Sequence, residues 1–528
     1  MNPELHSSPC LPSGASKLTI PVAALCGILF TKMSKVFKEC YGDCNNTHIK
    51  NIDVCTYNIE CRGTVRDVDL TFKCDQPGRT ESVHLILKNA SERFDEPLKA
   101  THFLNSVTDL KTRGVLNDTA LSIFQHTPAL KNLSLSNNGI YRIPHGSFCR
   151  LENLTKLDIS YNMLIDVEGL FAFENKRSKL RNLVLSNNEI LILTRYTFEQ
   201  LSSLVELDLS HNLIRNLFDK PFDNLNNLYI LNMDYNEIEE LGDSLNHLTR
   251  LRHLFLKGNP IKVIDDKLTN VVQHLQTFDL SYNDINDALP TILIRESQIL
   301  SSDSVCRVTL SNNYIQYLPN STEIWQFTHT ESFLLDANAN ISIVLDLSYN
   351  DIEEIEYNAF EGTNKIVSLD LSYNQLYEFS SDQRTYQTSI SFLDSAPFKD
   401  LKSLKLLSVQ YNWIEKLDEG QWIGDNRTLS IYIDGNYLTC EWLNKHIDNF
   451  EKGLSNIKLV VLNNNTSADE FVGNIPCMPE EKGFENQSGQ TVLDEHKLLS
   501  INSMILSEIV HRNEYLKDIV DEMKRQSK

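Results

Sequence analysis

Positive charge is scarce in this chain. Its 528 residues hold 49 Lys and Arg against 71 Asp and Glu, a formal net charge of -22 at pH 7. That balance argues against binding nucleic acid or an anionic membrane through a basic face, and any charged partner is expected to be cationic. Catalytic signatures are also missing. No H-E-x-x-H, G-x-S-x-G, phosphate-binding loop or G-x-G-x-x-G occurs, and the 14 His are scattered. The expectation is a chain that is not an enzyme and has no cofactor. Paired C-x2-C spacings with nearby His are absent, which disfavours zinc. Calcium would need oxygen ligands converging on one point, which a column with one acid per strand does not supply. After residue 30 no stretch reaches the roughly 18 uninterrupted apolar residues of a membrane span, and no hydrophobic lipid-anchor tail is present. Hydrophobicity itself is plentiful, at 41% of residues with 23% charged. Such a chain folds, and at this length it needs several cores or one elongated one.

Residues 18 to 30, LTIPVAALCGILF, form a thirteen-residue apolar run behind Lys17, the length of a secretory h-region. Residues 1–34 are therefore read as a leader, cleaved as a signal peptide or retained as a signal-anchor that tethers the chain to a membrane. Asn-x-Ser/Thr triplets agree with export, and the candidate glycosylation sites are Asn45, Asn89, Asn117, Asn320, Asn340, Asn426 and Asn486. Asn132, Asn153, Asn464 and Asn465 also head such triplets. Beyond the leader, Cys40, Cys44, Cys55, Cys61 and Cys74 crowd together, and Cys440 and Cys477 bracket a late segment. These clusters read as disulfides, with Cys440 and Cys477 a candidate pair. Cys149 and Cys306 stand alone in the sequence, and the odd total leaves at least one thiol free or bonded to another chain.

The dominant feature is repetition. LTKLDISYNML (154–164), LVELDLSHNLI (204–214) and IVSLDLSYNQL (366–376) are versions of L-x-x-L-x-L-x-x-N-x-L, which recurs with its Asn at 138, 162, 188, 212, 236, 259, 283, 313, 350, 374, 412 and 436. Most spacings are 23, 24 or 26 residues, the period of a leucine-rich repeat, and Phe124, Phe148, Phe198, Phe222, Phe360 and Phe398 stand fourteen residues before their Asn. In a short strand alternate side chains face opposite ways, so Leu207 and Leu209 point inward while Glu206, Asp208 and Ser210 face out. The Asn then serves the turn that follows. The expected fold is an α/β repeat solenoid, a horseshoe with a parallel β-sheet on its concave face, capped ends and a C-terminal helix or short coiled coil. Thirteen or so strands at about 4.8 Å would span roughly 60 Å. A degenerate repeat or two is expected within 83–120.

Binding surfaces rather than active sites are what such solenoids present. The candidate partner-binding residues lie in two columns of the concave face: Asp158, Asp208, Phe255, Asp279, Asp346 and Asp370 on the strands, and Tyr161, Tyr235, Tyr282, Tyr349, Tyr373 and Tyr411 just before the ladder Asn. Carboxylates beside aromatics suit a protein ligand with basic or amphipathic side chains. Breaks in the period after Asn283, Asn313 and Asn374 predict insert loops able to carry recognition. The tail shifts to helical spacing, with Leu498, Ile505, Ile509, Leu516, Ile519 and Met523 as a candidate coil seam for homo- or heterodimer formation. The organisation is thus 1–34 leader, 35–82 cysteine-rich cap, 83–438 repeats, 439–489 C-terminal cap and 490–528 amphipathic helix or coiled coil.

The 24-residue phrase with its Phe resembles the extracellular leucine-rich-repeat family. CTYNIECRGTVRDVDLTFKC, the strand LILKNAS, the repeats, the cysteine-flanked cap and the terminal coil are, in that order, similar to the secreted insect immune proteins of that family known in mosquitoes. That resemblance implies a secreted, non-catalytic binding protein of innate defence that holds a complement-like factor or recognises pathogens. The alternatives are a cell-adhesion or developmental ectodomain and, if the leader is not a signal, an intracellular scaffold.

Overall fold

The computed structural model describes residues 48–53, 56–62, 82–88, 107–113, 127–173, 178–217, 219–264, 271, 275–286, 305–319, 342–357, 359–360, 365–376, 392–393, 395–418, 428–451, 457–462 and 470–479. The leader, the cysteine cluster 40–74 as a set of side chains, the seven candidate glycosylation sites, the bulk of the three insert loops, Phe124 and the coil seam lie outside them. Residues to Met478 form one compact unit and residues from Pro479 a second; among the described residues every strand and helix belongs to the first.

The strands are β1 (His48–Asp53), β2 (Thr56–Arg62), β3 (Ser82–Lys88), β4 (Val107–Arg113), β5 (Asn132–Ser134), β6 (Lys156–Asp158), β7 (Asn182–Val184) and β8 (Glu206–Asp208). Next come β9 (Ile230–Asn232), β10 (His253–Phe255), β11 (Thr277–Asp279), β12 (Val305–Thr309), β13 (Tyr317–Leu318), β14 (Ser342–Asp346), β15 (Glu354–Ile355) and β16 (Ile366–Asp370). The last are β17 (Phe392–Leu393), β18 (Leu406–Ser408), β19 (Lys416–Leu417), β20 (Leu429–Tyr432), β21 (Ile457–Val460), β22 (Glu470–Val472) and β23 (Ile475–Cys477), with helix α1 (Cys440–Glu451) between β20 and β21. Seventeen strands join one sheet. From β2 to β21 each pairs in parallel with the next strand of that sheet, and β1 adds antiparallel to β2. The sheet is longer than the thirteen or so strands expected: β3 and β4 fall where degenerate repeats are expected within 83–120, and β1, β2 and β21 extend it at its two ends without the Asn-marked phrase. β12, β14, β16 and β18 remain paired in parallel across the long insertions, with one register irregularity, between Ile343 and Val344, where β14 meets β16. The fold is thus a stacked parallel-sheet solenoid, as the repeats predict.

The buried middle residue of each short strand, from Leu133 through Leu207 to Ile431, meets its counterpart one turn on and fills a continuous core. Phe148, Phe198, Phe222, Phe360 and Phe398 close it from the other side, with ring centroids 6.2 Å apart for Phe198 and Phe222 and 5.8 Å for Phe360 and Phe398. The turn that ends at Asn188 lacks a Phe at the usual distance. Phe171 substitutes, its ring centroid 6.0 Å from Phe198.

The ladder Asn serve the preceding turn as well as their own. Asn212 Nδ2 donates to Leu209 O (2.9 Å) and Ser210 O (3.2 Å), and to Leu185 O (3.0 Å) one turn back, while Oδ1 accepts the Ile190 N–H (3.1 Å). The same pattern runs from Asn162 to Asn436. Ser210, expected on the outer side, is instead 6% exposed, because its N–H and Oγ–H turn back to donate to Asp208 Oδ1 (3.0 and 2.7 Å).

At the C-terminal end α1 buries Trp442, Leu443 and Phe450, and the Cys440–Cys477 disulfide ties it to the β22–β23 hairpin. Cys149 does not stand alone as its position in the sequence implied, for it is disulfide-bonded. Among the described residues Cys306 is the free thiol. It packs half-buried against the core, and burial pushes its pKa up to about 11.

Two outcomes are expected. Asn212→Ala should lower stability by about 1–3 kcal/mol, since it strands the Ile190 N–H and two buried carbonyls, read as a shift in urea midpoint with faster amide exchange at Ile190. Cys306 should resist iodoacetamide at pH 8 in the native chain and react after unfolding, and Cys306→Ser should leave the non-reducing gel pattern unchanged.

Candidate functional site

The strand residue before each inward Leu and the one after it point to the open face of the sheet. In the first half of the solenoid these residues line an open trough of about 710 Å³ that runs from β4 to β10. One row is Asp109, Asn132, Lys156, Asn182, Glu206 and Ile230; the other is Lys111, Ser134, Asp158, Val184, Asp208, Asn232 and Phe255. Val184, Ile230 and Phe255 are only half-buried and give the trough an apolar floor, beside which Lys156, Glu206 and Asp208 supply charge of both signs.

Of the expected strand column, Asp158, Asp208 and Phe255 line this trough, whereas Asp279, Asp346 and Asp370 continue the same row beyond it. The register holds the column together in space. Its carboxylates, however, also do local work. Asp158, Asp208, Asp279 and Asp346 each accept both the N–H and the Oγ–H of the Ser two residues on through Oδ1, and Asp370 accepts the Ser372 N–H. Such caps stabilise the turn after the strand. Oδ2 is the oxygen this arrangement leaves toward the open face, and in Asp158 it accepts from Ser134 Oγ (3.2 Å). Burial pushes the Asp346 carboxyl above its usual range, against the two Ser348 hydrogen bonds.

The Tyr column is held by backbone as much as by side chain. The residue before the ladder Asn has positive φ at every turn from 137 to 435, including Tyr161, Tyr235, Tyr282, Tyr349, Tyr373 and Tyr411 at φ 53–57°. Side chains in this left-handed conformation project sideways along the stack and meet one another. Tyr349, Tyr373 and Tyr411 stack with centroids 4.2 and 4.3 Å apart, and His211 stacks on Tyr235 at 4.6 Å. After Tyr235 and Tyr411 a glycine follows, and a Cβ on Gly258 or Gly435 would collide with the ring of Tyr235 or Tyr411; after Tyr161 and Tyr282 the next turn holds Asn187 and Asn312. Lys257 Nζ lies over the Tyr282 ring at 4.8 Å and the Tyr235 ring at 5.8 Å, a cation–π bridge across two turns. Because Tyr349, Tyr373 and Tyr411 cover one another, that part of the column offers a ligand mainly ring edges, whereas Tyr161 is exposed.

Four turns depart from the Ser that is usual two residues before the ladder Asn, with Asp234, Lys257, Gln410 and Asp434 in its place. Asp234 occupies the place of Ser210 and Ser281, half-buried, with Oδ1 accepting the Lys257 N–H at 2.7 Å. Burial pushes its carboxyl from 3.8 up to about 7, with Asp279 and Asp208 adding to the rise and Lys257 opposing it. The adjacent His211 is held below its usual pKa by burial, against the pull of Asp208.

The row from Asp109 to Ile230 is not among the expected residues. It falls on an unspecified letter of the repeat phrase, where the pattern carries no signal. Asn132, head of a glycosylation triplet, sits in this row with Nδ2 donating to Asp109 Oδ1. Asn153, head of another, donates Nδ2 to Pro128 O (3.0 Å) and accepts from Lys179 Nζ (2.8 Å). Among the described residues no group of three or more His, Cys, Asp or Glu is arranged to hold a metal ion, and no helix is long and apolar enough to cross a membrane.

The leucine rich repeat model of known families matches residues 114–164, 128–175, 169–214 and 206–261, and a second such model matches 273–288. The fold is a leucine-rich-repeat solenoid. Keratocan of Bos taurus is 29% identical over 218 residues, 41% of this chain and 46% of that protein. The chain thus spans about half the length of the curated relatives it matches. Among solved structures, the Toll–Spatzle complex, described as a molecular hub in Drosophila development and innate immunity, superposes with a TM-score of 0.56 at 18% identity, over 81% of this chain and 57% of that one. The APL1 leucine-rich repeat domain superposes with a TM-score of 0.49 at 18% identity, over 82% and 99%. Likeness at these identities is likeness of fold.

Asp234 supplies a test. The native chain keeps that proton to higher pH than the unfolded chain, so its contribution to stability is full below 3.8 and lost as pH rises through about 7. Asp234→Ser, which restores the usual residue, should flatten the fall in thermal midpoint from pH 4 to 7.5 and raise the midpoint at pH 7.5. An unchanged slope would show that this carboxyl does not carry the effect.

Proposed function

We propose that this chain is a secreted, non-catalytic binding protein that grips a protein ligand in the trough between β4 and β10, in the service of innate defence. The trough is the observation that carries the reading: a half-buried apolar floor of Val184, Ile230 and Phe255 beside Lys156, Glu206 and Asp208, on a sheet whose neighbours fix every position. An apolar centre ringed by charge of both signs suits the mixed side chains of a protein surface. The leader and the glycosylation triplets support export, and the Toll–Spatzle likeness supports a solenoid of this kind working in immunity. The ligand class, complement-like factor or pathogen surface, comes from the family resemblance, and pairing through 490–528 belongs to the same proposal.

Two experiments test it. The full chain expressed in insect cells should appear in the medium with a mobility that glycosidase increases; a chain retained in the cytosol without glycan would end the extracellular reading. Partners crosslinked from extracellular fluid and identified should bind purified chain with affinity reduced about tenfold or more by Phe255→Ala or Asp208→Asn, the scale of central interface residues. Unaltered affinity in both variants would remove the trough from the function.

A further inference from the structure

On the side of the solenoid that follows the ladder Asn, the later turns carry large apolar side chains singly, as at Val263 and Tyr314. Four consecutive earlier turns carry them together. After Asn138, Asn162, Asn188 and Asn212 come Tyr141, Met163, Ile165, Leu191, Ile192 and Leu213, all exposed, with Tyr141 at 65%, Ile165 at 51% and Ile192 at 67%. Large apolar side chains scattered singly are ordinary on a surface, but these are contiguous. The Met163 N–H donates to Ile140 O (2.8 Å), the Leu191 N–H to Ile165 O (3.3 Å) and the Leu213 N–H to Ile190 O (3.0 Å), so the segments that carry them lie side by side. The patch then stops. In the next turn the corresponding positions hold Glu237 and Glu239, and Arg215 pairs with Glu237 at 2.6 Å.

We propose that this lateral patch docks an amphipathic, basic helix of a partner protein, at a surface separate from the trough. Two features fix the occupant. The first is spacing. Successive turns of the solenoid advance about 4.8 Å, close to the rise between side chains three or four residues apart on one face of a helix, about 4.5–6 Å. A helix laid along the stack therefore meets Tyr141, Ile165 and Leu191 one per turn and, in the fourth turn, Leu213 two positions nearer the Asn, and four turns of the solenoid accommodate about ten of its residues. The second is charge. Exposed Asp166 and Glu189 lie within or beside the patch and Glu239 and Glu240 just beyond it, against Arg142 at the opposite end and Arg215 in the fourth turn, whose charge Glu237 already pairs. Lys or Arg flanking the apolar face of the helix would complement this rim and disfavour an acidic one. None of the six apolar side chains belongs to the buried core, so folding does not depend on them.

The test uses the full-length chain and two synthetic probes, a fourteen-residue Leu/Lys peptide with Leu at helical i, i+3 and i+4 spacing and its Leu/Glu counterpart. The Leu/Lys peptide is expected to bind at least about tenfold more tightly than the Leu/Glu peptide by fluorescence anisotropy. The double variant Ile165→Asp, Ile192→Asp is expected to lose about tenfold or more of that affinity with its thermal midpoint unchanged, and Tyr141→Ala is expected to weaken it to a smaller degree. Equal binding of the two peptides, or binding indifferent to the double variant, overturns the proposal. Peptide affinity lost in Phe255→Ala instead puts the helix in the trough, overturning the lateral site while leaving the proposed function standing. Concentration-dependent dimerisation abolished by the double variant, without peptide binding, overturns it in favour of a second copy of the chain. Binding only to phosphatidylserine vesicles overturns it in favour of a lipid surface.

Discussion

A chain that reverses direction after every three-residue strand leaves backbone N–H and C=O groups stranded inside an apolar stack, where each unpaired group costs about 1–3 kcal/mol. The ladder Asn answers this constraint. Its amide reaches the carbonyls of its own turn and of the turn before, and its oxygen takes the N–H that the earlier turn cannot place, as Asn212 does for Leu185 and Ile190. Reaching both requires the preceding residue to enter the left-handed region, which costs a residue with a side chain roughly 1 kcal/mol. Ten such positions between Asn137 and Tyr411 accept that cost, and many offset it by laying a ring on the next ring or over a glycine. Since the ladder Asn from Asn162 to Asn436 bond across to the turn before, no turn among them is complete without another, and the solenoid is stable only as a stack.

The same constraint decides which residues remain available for binding. Within LDLSYN, the Leu are in the core, the Asp holds the Ser, the Tyr covers the turn and the Asn bonds backward. The letters that look most distinctive are therefore the ones most committed to structure. Freedom lies at the unspecified positions, the strand residue such as Glu206 or Ile230 and the residues after the Asn such as Ile165 and Ile192. It is there that this chain departs from its own repeat.

That distinction also explains what could be read from the sequence. The inward Leu, the ladder Asn and the Phe of the far side repeat because packing allows little else, so periodicity exposes them and with them the fold. β1, β2 and β21 escape a strand count based on the phrase because they continue the sheet without the Asn-marked turn, and Phe171 escapes the pattern because it fills the core from a shifted place. Ser210 departs from its expected side because alternation ends where the strand does, two residues earlier than the phrase suggests. The trough row from Asp109 to Ile230 gives no signal at all, since a binding surface is defined by differences between turns and a repeat pattern records only what they share.

The trough and the lateral patch share four turns, joined through the most rigid part of each. Asp208 faces the trough and Leu213 the lateral patch, and between them stand Ser210 and Asn212, both buried and both with hydrogen-bonded side chains. A ligand in the trough therefore has no flexible segment through which to reshape the patch, nor the reverse. Coupling between them would have to come from one partner that spans both, turning over the edge of the sheet. In that case the gain is one of effective concentration, because the fixed path from Asp208 to Leu213 presents the second surface at a constant distance from the first.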